Sequence, residues 1–261
     1  MTLPMWQAAA VVRWLEGRVE NLPKPFEETP AKAALTYGDC VAQEILLTAL
    51  REYYPWIGVE AEESTPGRRA FATNESDHRV VIDPIDGTLR YLKRDGLYAI
   101  LVGLEHEGRC IASLVALPQA DVVIRSAEGF EAEIAYAGGP FQSASCNGRG
   151  DRVLVSADVP ENAVDRLRAE GYEVALAAGG AVGVSPLLLG TLGGIRRTNA
   201  PEGLSRRNWV STRPTLDTGG VVEAFEGRFP RTHTAGLSGM IVAGSPETLA
   251  SLRALIEECL R

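Results

Sequence analysis

Apolar positions change their spacing twice along this chain, and each change marks a change of structure. The opening stretch "MTLPMWQAAAVVRWLEGRVE" spaces them as a helix does, with Arg13, Glu16 and Arg18 on the polar side and Thr2 or Pro4 near the start. "NLPKPFEETP", residues 21 to 30, reads as a Pro- and Glu-rich loop. A second helix is predicted from "TYGDCVAQEILLTALREYYP". Asp39 is placed to cap it, Val41, Ile45 and Leu46 give its buried face, and Pro55 lies just past its end.

From Val80 to about Ile134 the pattern changes to that of strands. "AILVGLEHEGRCIASLVAL" predicts two strands around a His-Glu-Gly turn, and "DVVIRS" and "FEAEIAY" predict two more, an antiparallel meander. After Arg152 the strands "RVLVS" and "EVALAA" alternate with helical segments expected at 161–170, 184–192, 217–226 and 246–260. The expected class is α/β, with an α+β unit over residues 1–148 and an α/β unit over residues 149–261, divided near "SCNGRGD" at 145–151. The chain shows no internal repeat and no low-complexity linker.

The buried strand "VVIDPIDGT" ends in two carboxylates, Asp83 and Asp86. Pro84 has no N–H to offer a sheet ladder, and Gly87 permits a sharp turn. Such a turn can aim both carboxylates and the Ile85 carbonyl at one point, with the Gly87 and Thr88 N–H groups beside it. Carboxylates, a carbonyl and water are what a hard divalent cation takes, and neighbouring N–H groups suit a phosphate oxygen. The plain alternative is an Asp-Pro turn followed by an Asx-Gly turn. "DGTL" also ends the nucleophile motif of haloacid dehalogenase phosphatases, but that motif needs one residue between its aspartates and a place near the start of the fold. Two further acidic groups bear on the reading. Glu60, Glu62 and Glu63 in "WIGVEAEES" offer a further ligand or an exposed acidic loop, and Asp39 in "LTYGDC" offers a cap that can also accept from a threonine hydroxyl.

Charge changes the picture next. The 261 residues carry a net charge of -8 and the pI is about 5.1, which argues against a nucleic-acid footprint. An acidic protein acting on an anion needs a cation between them. No stretch approaches a membrane span, and the amino terminus lacks the basic and apolar regions of a secretory signal. Cys40, Cys110, Cys146 and Cys259 have no CxxC spacing and read as buried thiols of a reducing, cytoplasmic setting. "AAGGAVGVSPLLLG" lacks the spacing of a nucleotide-binding loop. His78, His106 and His233 read as isolated, and Trp6, Trp14, Trp56 and Trp209 as core or interface anchors.

Taken together, "LTYGD", "EAEES", "VVIDPIDGT" and the closing "GMIVAGSPETLASL" resemble the inositol monophosphatase family of Mg²⁺-dependent, lithium-sensitive phosphatases over nearly the whole chain. The resemblance implies a layered αβαβα sugar-phosphatase sandwich. It implies that Glu62, Asp83 and the Ile85 carbonyl hold a first Mg²⁺, and that Asp83, Asp86 and an aspartate of the second half hold a second. Two or three ions are expected, with Mn²⁺ able to substitute. Gly87 and Thr88 would hold phosphate, and Glu62, Thr88 and Asp39 would activate the attacking water. The implied reaction is direct hydrolysis of a small-molecule phosphate ester, with no phosphoenzyme, by a cytoplasmic homodimer that uses neither nucleic acid nor membrane.

Two departures stand out. The family's second-half motif is Trp-Asp followed by a small-residue helix ending near Glu-Ala-Gly-Gly. Here "PTLDTGGVVEAFEGRF" offers Asp217, with Leu216 in place of the Trp, and Asp217 is expected to open a helix and bind metal. Arg90 and Tyr91 stand where the family has Asn and an aromatic, so Arg90 is either salt-bridged or a positive charge beside the phosphate. Inositol monophosphate, 3'-phosphoadenosine 5'-phosphate or another bisphosphate, histidinol phosphate and fructose 1,6-bisphosphate all lie within the family, with substrate choice expected in residues 178–215. A non-catalytic binding protein on this fold is the alternative from another class.

Overall fold

The computed structural model describes residues 1–25, 27, 29–72, 76–146, 150–230 and 236–260. Helix α1 (Thr2–Leu15) buries Met5, Ala8, Ala9 and Val12, one face at helical spacing. After α2 (Pro30–Ala33) comes α3 (Tyr37–Tyr53). Its cap is Thr36, not Asp39: Thr36 is extended at φ -133°, and its hydroxyl oxygen accepts from Gly38 N and Asp39 N. Asp39 sits two positions into the helix and accepts from Thr36 N in return, completing a capping box.

Among the described residues the next elements are β1 (Gly58–Ala61), α4 (Pro66–Arg69), β2 (His78–Asp86), α5 (Thr88–Lys93), β3 (Ala99–His106), β4 (Arg109–Leu117), β5 (Val122–Ala127), β6 (Phe130–Tyr136) and β7 (Gln142–Ser143). The strands form one sheet in chain order, β1 parallel to β2 and the rest antiparallel. The predicted meander is present. Beyond it lie β8 (Gly150–Val155), α6 (Glu161–Ala169), β9 (Glu173–Leu176), α7 (Gly179–Gly183), β10 (Gly190–Arg197), α8 (Arg207–Asp217), β11 (Val221–Ala224), β12 (Gly227–Arg228), β13 (Gly239–Ala243) and α9 (Pro246–Leu260). Their strands make a second, mixed sheet in the order β12-β11-β13-β10-β8-β9.

Two predicted helices are strand or turn instead. Residues 184–192 hold a short 3-10 turn, Ser185–Leu187, and then β10, because Pro186 and a left-handed Gly190 (φ +73°) do not suit a longer helix. Residues 217–226 hold β11, with β-branched Val221 and Val222 extended. Asp217 therefore closes helix α8 and does not open one, and Gly219 (φ +81°) just beyond it is the left-handed residue that ends a helix.

Three clusters of buried side chains show the layering. Helices α1 and α3 cover one face of the first sheet, where Leu46, Leu47 and Leu50 meet Val80, Ile82, Ile100 and Val102. The opposite face sends Ala99, Leu101, Val115 and Ile124 against Ala181, Val182, Trp209 and Val210 of α7 and α8, which also meet Leu154, Met240 and Val242 of the second sheet. The outer face of that sheet packs Val153, Val155 and Ile241 on α6 and α9. The order is αβαβα, and alternation along β3 (Ile100 one way, Leu101 the other) sets it. Each such Leu or Ile, fully buried, stabilises the fold by about 1.5–3 kcal/mol.

Single residues sort less evenly. Trp209 is buried against Phe229, and Trp6 packs beside the first core, whereas Trp14 and Trp56 are 64% and 59% exposed. All four cysteines are free, but only Cys110 is buried. His78 and His106 are not isolated; their rings stack across β2 and β3 at 4.3 Å. His233 lies outside the described residues.

Candidate active site

Residues three apart on a regular strand point to opposite faces, so Asp83 and Asp86 need a device to act together. A bulge supplies it. Asp83 pairs with Leu101 and Asp86 with Ala99, so Pro84 and Ile85 oppose Ile100 alone. Leu101 and Ala99 both face the central layer, and the extra residue turns both carboxylates to that side. Pro84 thus interrupts the ladder without ending the strand. Gly87 follows at φ +94°, where a Cβ would meet Ala178 Cβ at 2.4 Å, and α5 starts at Thr88.

The Thr88 hydroxyl lies 3.0 Å from Asp39 Oδ1 and 3.0 Å from the Ile85 carbonyl oxygen, and its one proton serves one of them at a time. Burial pushes the Asp39 carboxyl up to about 7, opposed by the hydrogen bonds from Thr36 and Thr88. Asp83 is raised well above the ordinary carboxylate range, first by burial and then by Glu62. Its Oδ1 is buried with no hydrogen-bond partner, an orphan acceptor among oxygen donors. Asp86 Oδ2 accepts from Gly180 N at the start of α7.

Glu62 follows β1 and arrives beside Asp83 because β1 runs parallel to β2. Both of its oxygens are engaged: Lys24 Nζ lies 2.9 Å from Oε1 and Arg207 Nη1 3.0 Å from Oε2. Burial opposes ionisation of Glu62, but Arg207 and Lys24 outweigh it and hold the carboxyl below its ordinary value. Arg207 Nη1 also lies 3.3 Å from Asp83 Oδ2. Burial works against the Arg207 charge, yet Asp83, Glu62, Asp86 and Glu63 together raise its proton affinity. Glu63 pairs with Lys24 at 2.6 Å, and buried Gln43 holds its backbone through Glu63 O at 2.7 Å and Glu63 N at 2.9 Å. Glu60 pairs instead with Arg206 and Arg79.

The structure therefore gathers Asp39, Glu62, Asp83, Ile85, Asp86, Gly87 and Thr88. It does not bring Asp217 to them. That carboxylate accepts from Ser126 and pairs with Arg213 at 3.1 Å. It stands ten residues along α8 from Arg207, about 15 Å at helical rise. Arg206 and Arg207 begin the helix that ends before Gly219 and Gly220, where the Trp-Asp of the expected motif would stand. Arg90 is paired with Asp95 at 2.9 Å. Lys24, Gln43 and Arg207 were missed from sequence because nothing local marks them; Lys24 and Arg207 lie 38 and 145 residues from Glu62.

Among the described residues, no three Asp, Glu, His or Cys side chains form a ready-made cation cage. The oxygen donors nevertheless suit one hard divalent ion: the orphaned Asp83 Oδ1, the Ile85 carbonyl and Asp86. The start of α8 brings the Arg207 guanidinium against Glu62 and Asp83.

Comparison with known proteins bears on the family and the fold. The sequence model of the inositol monophosphatase family matches residues 7–186. A 3'(2'),5'-bisphosphate nucleotidase CysQ of Salmonella typhimurium is 29% identical over 108 residues, 41% of this chain and 43% of that protein, so the match spans less than half of the relative's length. The fold matches the IMPase of Thermotoga maritima at TM-score 0.72 and 17% identity, covering 98% of this chain and 96% of that one. It also matches an IMPase/NADP phosphatase complexed with Mg²⁺ and phosphate at TM-score 0.65 and 17% identity, covering 94% and 90%.

Proposed function

Because the chain belongs to the inositol monophosphatase family, we propose that it is a divalent-cation-dependent phosphomonoesterase acting on a small phosphorylated metabolite. The bulge that turns Asp83 and Asp86 to one side, with Gly87 and Thr88 directly after, carries the reading. Asp83, Asp86 and the Ile85 carbonyl would hold Mg²⁺, with Glu62 joining them once Lys24 gives way. A divalent ion there supplies positive charge to phosphate and acidifies a water. Thr88, hydrogen-bonded to Asp39, would take a proton from an attacking water as its own hydroxyl proton passes to the Asp39 carboxylate, and the Gly87 and Thr88 N–H groups would orient phosphate.

An inositol monophosphate-like ester is the first substrate in this reading, and a nucleoside bisphosphate is the second, supported by the CysQ relative. The reading extends to lithium inhibition, Mn²⁺ substitution, a cytoplasmic setting and a homodimer. The apolar groove lined by Leu50, Tyr54, Trp56, Val80 and Phe130 supports the dimer. Among the described residues no helix is long and apolar enough to cross a membrane. Arg207 at the centre favours a second reading, a phosphate-ester-binding protein without turnover. Phosphate release from a panel of inositol, sugar and nucleotide mono- and bisphosphates, with and without Mg²⁺, decides. Mg²⁺-dependent release supports the enzyme; retention of esters without release supports the binding protein.

A further inference from the structure

Arg207 carries a positive charge from the second half of the chain onto the carboxylates of the first, through Nη1 at 3.0 Å from Glu62 and 3.3 Å from Asp83. Arginine stays protonated in proteins, so this charge is fixed. With Lys24 it faces Glu62, Glu63 and Asp83, with Asp86 alongside. Two cations thus already stand against these carboxylates, and one of them, Arg207, touches both Glu62 and Asp83. A second divalent ion beside that guanidinium would be repelled by it, even at a high effective dielectric constant. Asp217, the carboxylate expected to hold a second ion, is bound elsewhere by Arg213 and Ser126. The guanidinium meets Glu62 and Asp83 through Nη1, and its planar donor fork matches phosphate.

We infer that Arg207 is a resident cation standing where a second divalent ion would sit, so that the centre takes one ion per chain and Arg207 holds a phosphate oxygen. The phosphate contact rests on the phosphatase reading; the ion count does not.

Mn²⁺ bound per chain is counted by electron paramagnetic resonance of the free ion, with inorganic phosphate present, for the wild type, Arg207→Ala and Arg207→Asp. The wild type saturates at one ion. Arg207→Asp, which exchanges the guanidinium for a carboxylate, takes two. At saturating Mn²⁺, Arg207→Ala binds inorganic phosphate about tenfold or more weakly. Saturation of the wild type at two ions or at none overturns the inference. So does a count of one in folded Arg207→Asp, or a phosphate affinity within about twofold of wild type in Arg207→Ala. If Arg207→Asp does not fold, as circular dichroism shows, the other two proteins decide alone. One bound ion without phosphate release from any ester sinks the phosphatase reading and leaves the ion count standing. Two ions with Mg²⁺-dependent release does the reverse.

Discussion

The corner at the end of β2 and the start of α8 meet across Glu62 and Asp83, yet they are built by opposite means. The corner is local: Pro84, a one-residue bulge and a left-handed Gly87 fix Asp83, Asp86 and Thr88 within six residues. The start of α8 is remote, and Arg207 reaches Glu62 across 145 residues of chain. The corner supplies negative charge held in place by backbone geometry. The helix supplies positive charge on a long side chain, held in place by that negative charge. A short motif can therefore announce an acidic centre without announcing what neutralises it.

The largest effect expected falls on the corner. Asp83→Asn removes the buried carboxylate whose Oδ1 lacks a partner, and Mg²⁺-dependent phosphate release should fall about a hundredfold or more. Steady-state assays check it, and a drop of less than about fivefold would move the reaction off Asp83. Next comes the backbone that holds the corner. Gly87→Ala forces a Cβ into left-handed backbone and against Ala178, so it should destabilise the fold by about 1–3 kcal/mol in urea unfolding. An unchanged midpoint would show that the corner is not strained as described.

Gln43 holds the Glu63 backbone and Thr65 from behind. Gln43→Ala should cost about 1–3 kcal/mol, because it strands buried polar groups, and equilibrium unfolding reads it directly. The pH dependence is a smaller effect. Asp39 titrates near 7 in the folded chain, against about 4 when unfolded. Below about pH 4 both states are protonated and this carboxyl has no effect. As pH rises toward 7 the unfolded chain ionises while the folded chain does not, so stability falls, and above 7 the full penalty applies. Asp39→Asn carries no such group and should gain stability relative to wild type between pH 5 and pH 8, by about 1 kcal/mol or more. A difference in melting temperature that stays flat over that range would contradict it.

The layered fold was legible wherever spacing was regular. The strands from Val80 to Tyr136 are short apolar runs divided by turns, and α6 and α9 lie where their helical spacing put them. Errors fell where one residue type serves two positions. Asp217 suits a helix start by composition, but Gly219 right after it marks a helix end. Asp39 suits a cap by composition, but Thr36 three residues earlier has the spacing of a capping box and holds that place. Asp83, Asp86 and Thr88 of the candidate site were legible because they share one short motif. Lys24, Gln43 and Arg207 were not, because their partners exist only after both halves have folded.

The comparison between corner and helix comes down to which aspartates matter. Phosphate release with Mg²⁺ should be measured side by side for wild type, Asp86→Asn and Asp217→Asn. The account predicts that Asp86→Asn loses about a hundredfold or more, while Asp217→Asn stays within about twofold because its carboxylate serves Arg213 and Ser126. The reverse result, with Asp217 indispensable and Asp86 not, would contradict it.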